Sequence, residues 1–301
     1  MFDNINAETK HRQPDDPRDS AGPHLKDEGM TDTINRYARY TRLKFDRPHP
    51  RVLRITLASP LKMGAMDAQM HREASEIWAD VDADDSVSVA IITGDGRTFS
   101  AGGDLNHERK VCEDYALRMQ AMTEARNLVM GMINCKKPIV AAARGWAVGA
   151  GLALLILADV SIASKDAKFS DGHLKIGVAS GDHATIIWPL LCGMAKAKYY
   201  LMTADTFTGE EAERMILISM ALADGEVEAK AIEVASRLAE SAPAALRWTK
   251  HTLNHWLRQA APIFDASLAL EFIGFAGPEG TEGIDAFLQK RTAAFSQHTP
   301  V

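Results

Sequence analysis

Two glycine-rich stretches carry the first chemical suggestion in this sequence. The first, Phe99-Ser100-Ala101-Gly102-Gly103-Asp104-Leu105, follows the turn Gly94-Asp95-Gly96. Its small residues let the backbone approach a ligand closely, with the Gly103 N–H able to point into a site. The second, Arg144-Gly145-Trp146-Ala147-Val148-Gly149-Ala150-Gly151-Leu152-Ala153-Leu154, opens an apolar helical run. A glycine turn at a helix start gathers unsatisfied N–H groups at the positive end of the helix dipole, where negative charge is stabilised. The chemistry on offer is the holding of a developing oxyanion. Dinucleotide binding fits poorly, because the glycines stand at 145, 149 and 151 and miss the Gly-x-Gly-x-x-Gly spacing. Plain structural roles compete with both readings: a strand-to-helix turn capped by Asp104, and close packing of a buried helix.

Loops of this kind need a scaffold, and the flanking pattern supplies one. From Tyr40 onward, short β-type runs alternate with helical ones, the strands being Val52 to Leu57, Val87 to Thr93, Pro138 to Ala143 and Val160 to Ala163. Between the first two, Met70, Ala74, Ile77 and Trp78 have helical spacing behind Asp67 as cap, and they read as core together with Met66. A further helix is predicted over Glu113 to Asn134. From Ala195 the strand signals fade, and helices are predicted from Thr208-Gly209-Glu210-Glu211, over Glu226 to Ser241, from Pro243 to Arg258 and from Phe264 to Phe275. Residues 1–30 hold seven acidic and four basic side chains against seven apolar ones, which predicts a mobile tail, with Met30 a candidate natural start. The organisation is thus an α/β core over 31–230 and a helical region over 231–301.

Composition narrows the function classes. A chain of 301 residues, 46% hydrophobic, can bury a substantial core. Its net charge of −6, with no Lys/Arg-rich block, argues against a nucleic-acid partner. The longest apolar stretch, Gly145 to Ala158, is 14 residues, short of the roughly 20 that a membrane helix needs. Cys112, Cys135 and Cys192 have no metal-type spacing and read as free thiols of a reducing compartment, hence the cytoplasm.

The two glycine-rich stretches, in this order and about 47 residues apart, resemble those of the enoyl-CoA hydratase/isomerase (crotonase) superfamily. The resemblance extends from about Tyr40 to Arg291 through Pro60-Leu61-Lys62-Met63-Gly64-Ala65-Met66, Lys136-Lys137-Pro138-Ile139-Val140-Ala141-Ala142 and Glu282-Gly283-Ile284-Asp285-Ala286-Phe287-Leu288-Gln289-Lys290-Arg291. It implies a spiral of ββα units with C-terminal helices that build a homotrimer or a dimer of trimers. It also implies an oxyanion hole made by the backbone N–H groups of Gly103 and Ala150, a CoA thioester as substrate, no permanently bound cofactor and no metal. Ala101, Asp104, Gly149 and Gly151 would lie near the substrate, Lys62 and Lys290 near the CoA phosphates, and Glu271 near the substrate tunnel or subunit contact.

Within that family resemblance the acid–base residues depart from the hydratase pattern. Of the two glutamates that hydratases use, the first position is Ala153 and the second His173. The spacing from His173 to Asp182 and on to Trp188-Pro189 is similar to the β-diketone hydrolase branch, in which a His/Asp pair activates water. There the carboxylate would fix the imidazole tautomer and stabilise its cation, with His173 as base and Asp182 as partner. That branch also has a histidine near the glycine turn, and none stands between Gly145 and Ala158 here. His183 reads as an exposed or helix-capping residue, His107 as part of a mobile loop over 106–116, and Asp171 as a turn residue beside the site. Three functions follow: a thioester enzyme with a His/Asp pair, a β-diketone hydrolase without CoA, and a silent module that only binds acyl-CoA or assembles.

Overall fold

The computed structural model describes residues 36–298, so the expectation for the tail over 1–30 lies outside the described residues. Six strands form the main sheet in the order β1-β2-β3-β4-β6-β9, namely Leu43–His49, Val52–Leu57, Val89–Gly94, Ile139–Ala143, Val160–Ser164 and Met220–Leu222. β1 and β2 are antiparallel and the remaining neighbours parallel. Every residue of β4 is buried, as a strand covered on both faces requires. A second sheet joins β5 (Trp146–Val148), β7 (Lys168–Ser170) and β8 (Phe207–Thr208). β4 leads through Gly145 into β5 and then α4 (Ala150–Ile156), and β6 leads into β7, so each strand pair is split between the two sheets. This is the repeat expected of the spiral.

Helices cover both faces of the main sheet. On one side α1 (Ala68–Ala83) starts where the Asp67 carboxylate accepts the Met70 N–H at 2.8 Å, a cap worth about 1 kcal/mol, and buries Met70, Ala74, Ile77, Trp78 and Val81. It packs on α3 (Tyr115–Asn134). On the other side Val227, Ala231, Val234 and Ala235 of α7 (Val227–Ala239) close a second core over Val89, Ile91, Val140 and Ile162. Among the described residues no helix is long and apolar enough to cross a membrane.

Several local expectations are corrected. The segment 106–116 is not a loop, since Leu105–Glu113 is a helix, α2, capped by Asp104, and Asp114 both ends it and caps α3. Strands persist beyond Ala195 as β8 and β9, which at two and three residues are too short to show a period. A capping box between Thr208 and Glu211 starts α6 (Gly209–Arg214), which separates them. The later helices are α5 (Ala184–Thr203), α8 (Pro243–Leu253), α9 (His255–Gln259), α10 (Ala261–Phe275) and α11 (Pro278–Leu288). α10 and α11 turn back onto the core. Arg126 of α3 holds Asp265 at 2.8 Å, and Arg109 of α2 holds Asp285 at 2.7 Å.

Candidate active site

The site begins where the two glycine-rich stretches run side by side. Ser100 pairs in parallel with Ala147, the Ser100 N–H donating to Trp146 O at 2.9 Å and the Val148 N–H to Ser100 O at 3.0 Å. Three residues further along each segment stand Gly103 and Ala150, and both line a cavity of about 820 Å³. Neither of their N–H groups finds an acceptor within the described residues, and that of Ala150 belongs to the first turn of α4, where helix geometry supplies none. Gly102 allows the close approach: it has φ 86°, and a Cβ there would lie 2.8 Å from the Val148 carbonyl oxygen.

The same cavity is lined by members of a buried cluster of imidazoles and carboxylates. Gly172 and Gly177, at φ 83° and 77°, bracket a 3-10 turn over His173–Ile176 and turn the His173 ring inward. The His173 Nδ1 lies 3.0 Å from Asp171 Oδ2, while Nε2 lies 3.6 Å from Asp182 Oδ1 and 3.7 Å from Glu271 Oε1. Asp171 is therefore no simple turn residue. It is buried, accepts the Ser180 hydroxyl at 2.5 Å, and is the carboxylate that fixes the His173 ring. His183 is not exposed; it stands at the N-cap position of the helix Ala184–Thr203 without a side-chain cap bond, and its side chain is wholly buried with Nδ1 2.5 Å from Asp182 Oδ1 and Nε2 3.7 Å from Asp171 Oδ1. The four groups close a ring in which each imidazole has a carboxylate on both sides. α10 completes it, Glu271 Oε2 accepting the Gly181 N–H at 3.0 Å.

The electrostatics separate the members of this cluster. Burial disfavours the His173 cation, yet the charges of Asp171 and then Asp182 prevail and hold its pKa well above the usual imidazole value. Burial likewise opposes ionisation of Asp171 and Asp182, but the neighbouring imidazoles, His173 for the first and His183 with His173 for the second, keep both below the ordinary carboxylate range. Glu271 is pushed the other way, by burial and then by the charge of Asp182, so its neutral acid is favoured. The site thus keeps a proton donor, His173, beside two fixed anions. One ring nitrogen of His173 and one carboxylate oxygen each of Asp182 and Glu271 lie within 4.8 Å of one another, a spacing that suits a water and is also one at which a cation could be held.

Most expected residues meet in this cavity: Lys62, Ala101, Gly103, Asp104, Gly149, Ala150, His173, Asp182 and Glu271 all line it. Gly151 does not. It is buried against the other glycine-rich stretch, and a Cβ there would lie 2.7 Å from Ser100 Cβ and O, so its smallness serves the packing of α4. Lys290 is exposed just beyond α11, whose Phe287 and Leu288 reach the cavity in its stead. His107 lies on α2 and lines the wall, where burial and then His71 lower its pKa. Glu108 escaped the sequence reading altogether. It lines the same wall one turn into α2, and burial pushes its carboxyl up to about 7, with His173 opposing and Asp182 adding to the shift. The signal that marks it is helical: Glu108 stands four residues after the cap Asp104, whose carbonyl accepts its N–H at 2.9 Å.

Comparison with known proteins agrees with this architecture. The family model for enoyl-CoA hydratase/isomerase matches residues 49–298. The chain is 32% identical over 252 residues to the 2,3-dehydroadipyl-CoA hydratase of Escherichia coli K12, covering 81% of this chain and 95% of that protein. Its structure is similar to that of an enoyl-CoA hydratase/isomerase from Mycobacterium paratuberculosis, with a TM-score of 0.77 at 30% identity over 81% of this chain and 98% of the other. A β-diketone hydrolase from the cyanobacterium Anabaena shares the fold, with a TM-score of 0.72 at 24% identity over 80% of this chain and 96% of the other.

Proposed function

From the premise that the chain belongs to the enoyl-CoA hydratase/isomerase family, we propose that this enzyme acts on an acyl-CoA thioester, with Gly103 and Ala150 polarising the carbonyl and His173 exchanging the proton. The observation that supports the reading is the Ser100–Ala147 pairing, which brings two acceptor-free N–H groups to the cavity that His173 also lines. Chemistry beside a thioester builds negative charge on its oxygen, and each preorganised donor contributes about 3 kcal/mol to holding it. Asp171 fixes the ring through Nδ1, and Asp182 stabilises the cation from the Nε2 side, where the proton is exchanged with substrate or water. Ala101 and Gly149 shape the wall and Asp104 sets the start of α2, while the exposed Lys62 at the rim meets the CoA phosphates. The free thiols fit a cytoplasmic enzyme.

Thermal unfolding with CoA and acetoacetyl-CoA tests the substrate class. A ligand at about 100 times its Kd stabilises the native state by about 2.7 kcal/mol, which raises Tm by about 5–10 °C for a chain of this size. No shift at millimolar ligand would overturn the thioester reading and favour the rival, a β-diketone hydrolase that uses no CoA. That rival draws on one feature, the three-atom niche of His173, Asp182 and Glu271 that suits a hydrolytic water.

Assembly as a homotrimer or dimer of trimers fits the outer helices. Trp248 is 69% exposed, Trp256 65% and Ile273 66%, on α8, α9 and α10, a density of large apolar groups that a partner copy would cover. Light scattering at micromolar concentration is expected to give a mass of three chains or a multiple of it, and a strictly monomeric species would contradict this.

A further inference from the structure

Resting on the thioester reading above, we infer that Glu108 is the second proton-exchanging residue of the cavity, taking the proton from a water that adds to a 2-enoyl thioester. Two features of its placement carry this. Its Oε2 is shielded and meets no partner among the described residues, although the residue lines the cavity. A buried carboxyl oxygen without a hydrogen bond is costly, and a bound water or substrate is what would relieve it. Its other oxygen lies over Gly103, since a Cβ on that residue would be 2.0 Å from Glu108 Oε1. The carboxyl therefore stands beside one of the two N–H groups assigned to the thioester oxygen.

The step balances without further reagents. Glu108, as carboxylate, takes a proton from water while the water oxygen bonds to the β-carbon. The Cα–Cβ π pair shifts toward the carbonyl, giving an enolate whose oxygen meets the Gly103 and Ala150 N–H groups. As the C=O bond reforms, the His173 imidazolium gives its Nε2 proton to the α-carbon. Glu108 then returns its proton to His173 through solvent, and the net change is addition of one water. The buried Ala153, at the position of a hydratase glutamate, has no proton to exchange; α2 supplies a carboxyl from another direction. The groups that act on Glu108 electrostatically are His173, Asp182, His71 and Asp104, with Glu271 across the cavity, and burial leads them in setting its pKa at about 7.

Hydration of crotonyl-CoA by the full chain, with binding of acetoacetyl-CoA measured separately, tests the role. Glu108→Gln is expected to lower kcat by about 100-fold or more while the Kd changes by less than about 2-fold. The wild-type kcat/KM falls below about pH 7 as the base takes up a proton, and that limb is absent from the variant. Gly103→Ala keeps the N–H but displaces the carboxyl, so its loss and that of Glu108→Gln do not add in the double variant. Wild-type turnover and acid limb in Glu108→Gln would overturn the role of Glu108 alone. A wild-type protein that binds CoA ligands but adds no water to crotonyl-CoA would overturn it too, whereas failure of those ligands to bind would remove the thioester reading beneath it.

Discussion

Substitution of His173 by alanine is expected to lower kcat by about 100- to 10,000-fold, with the folded assembly and CoA binding retained. The ring is the one group whose Nε2 faces both Asp182 and Glu271 at 3.6 and 3.7 Å while Nδ1 is held by Asp171 at 3.0 Å, so nothing else stands ready to take its place. Asp171→Asn supplies the sharper diagnostic. It keeps a polar group of the same shape but removes the charge that contributes most to raising the His173 pKa. With that charge gone the imidazolium loses its proton at lower pH, so the alkaline limb of the pH–rate profile moves toward neutrality. Steady-state kinetics from pH 6 to 10 on both variants, with light scattering as a folding control, measures these effects. Unchanged kcat in His173→Ala would remove the proposed proton donor. A wild type that binds acyl-CoA without any turnover would instead favour the silent module.

Gly145→Ala is expected to damage stability and turnover together. Gly145 has φ 63°, and a Cβ there would lie 2.1 Å from the backbone carbonyl oxygen of Arg97. The left-handed conformation costs about 1–2 kcal/mol, and forcing two backbones apart adds about 1–3 kcal/mol, so Tm is expected to fall by about 5–15 °C. Arg144 O accepts the Phe99 N–H at 2.8 Å beside this point, so the shift also disturbs the pairing that aligns Gly103 with Ala150, and kcat falls with stability. Gly96→Ala is the control, because Gly96 has φ 89° but nothing within 4 Å of its Cβ position. Calorimetry on the two variants separates the terms: equal losses would mean that conformation alone matters, and a wild-type Tm for Gly145→Ala would refute the contact argument.

The parts of this structure that local pattern could reveal are those that local forces decide. β4 is a continuous apolar run and α1 has both a cap and regular buried positions, so each is recognisable from its own residues. Gly103 and Ala150 followed from family resemblance, and only the tertiary pairing at Ser100 and Ala147 explains why they share a wall. His173 and its partner Asp182 are legible through the family resemblance and their spacing, but Asp171 on Nδ1 and the buried His183 are not. The burial of Asp171 and His183 depends on α10 and its Ser267, whose hydroxyl donates to the Gly181 carbonyl at 2.9 Å, a contact 86 residues away in sequence. Glu108 was obscured for a different reason. The run Asn106-His107-Glu108-Arg109-Lys110 is polar on every side, and its helix is held by Asp104 at one end and by Arg109 against Asp285 of α11. No hydrophobic period could announce it.

The dependence on α10 and α11 also fixes when in the life of the chain this cavity becomes a reaction vessel. Gly103 and Ala150, proposed as the oxyanion donors, precede Asp182 in the chain, as do His173 and Glu108, and the main sheet is complete at Leu222. Yet Glu271 and the apolar Phe272, Phe275, Phe287 and Leu288 that line the cavity come from α10 and α11, which are synthesised after all of these. Without those helices the cavity would lie open to water, which weakens the interactions among its charges. A chain that lacks α10 and α11 would thus lack Glu271 and the aromatic wall of the proposed site.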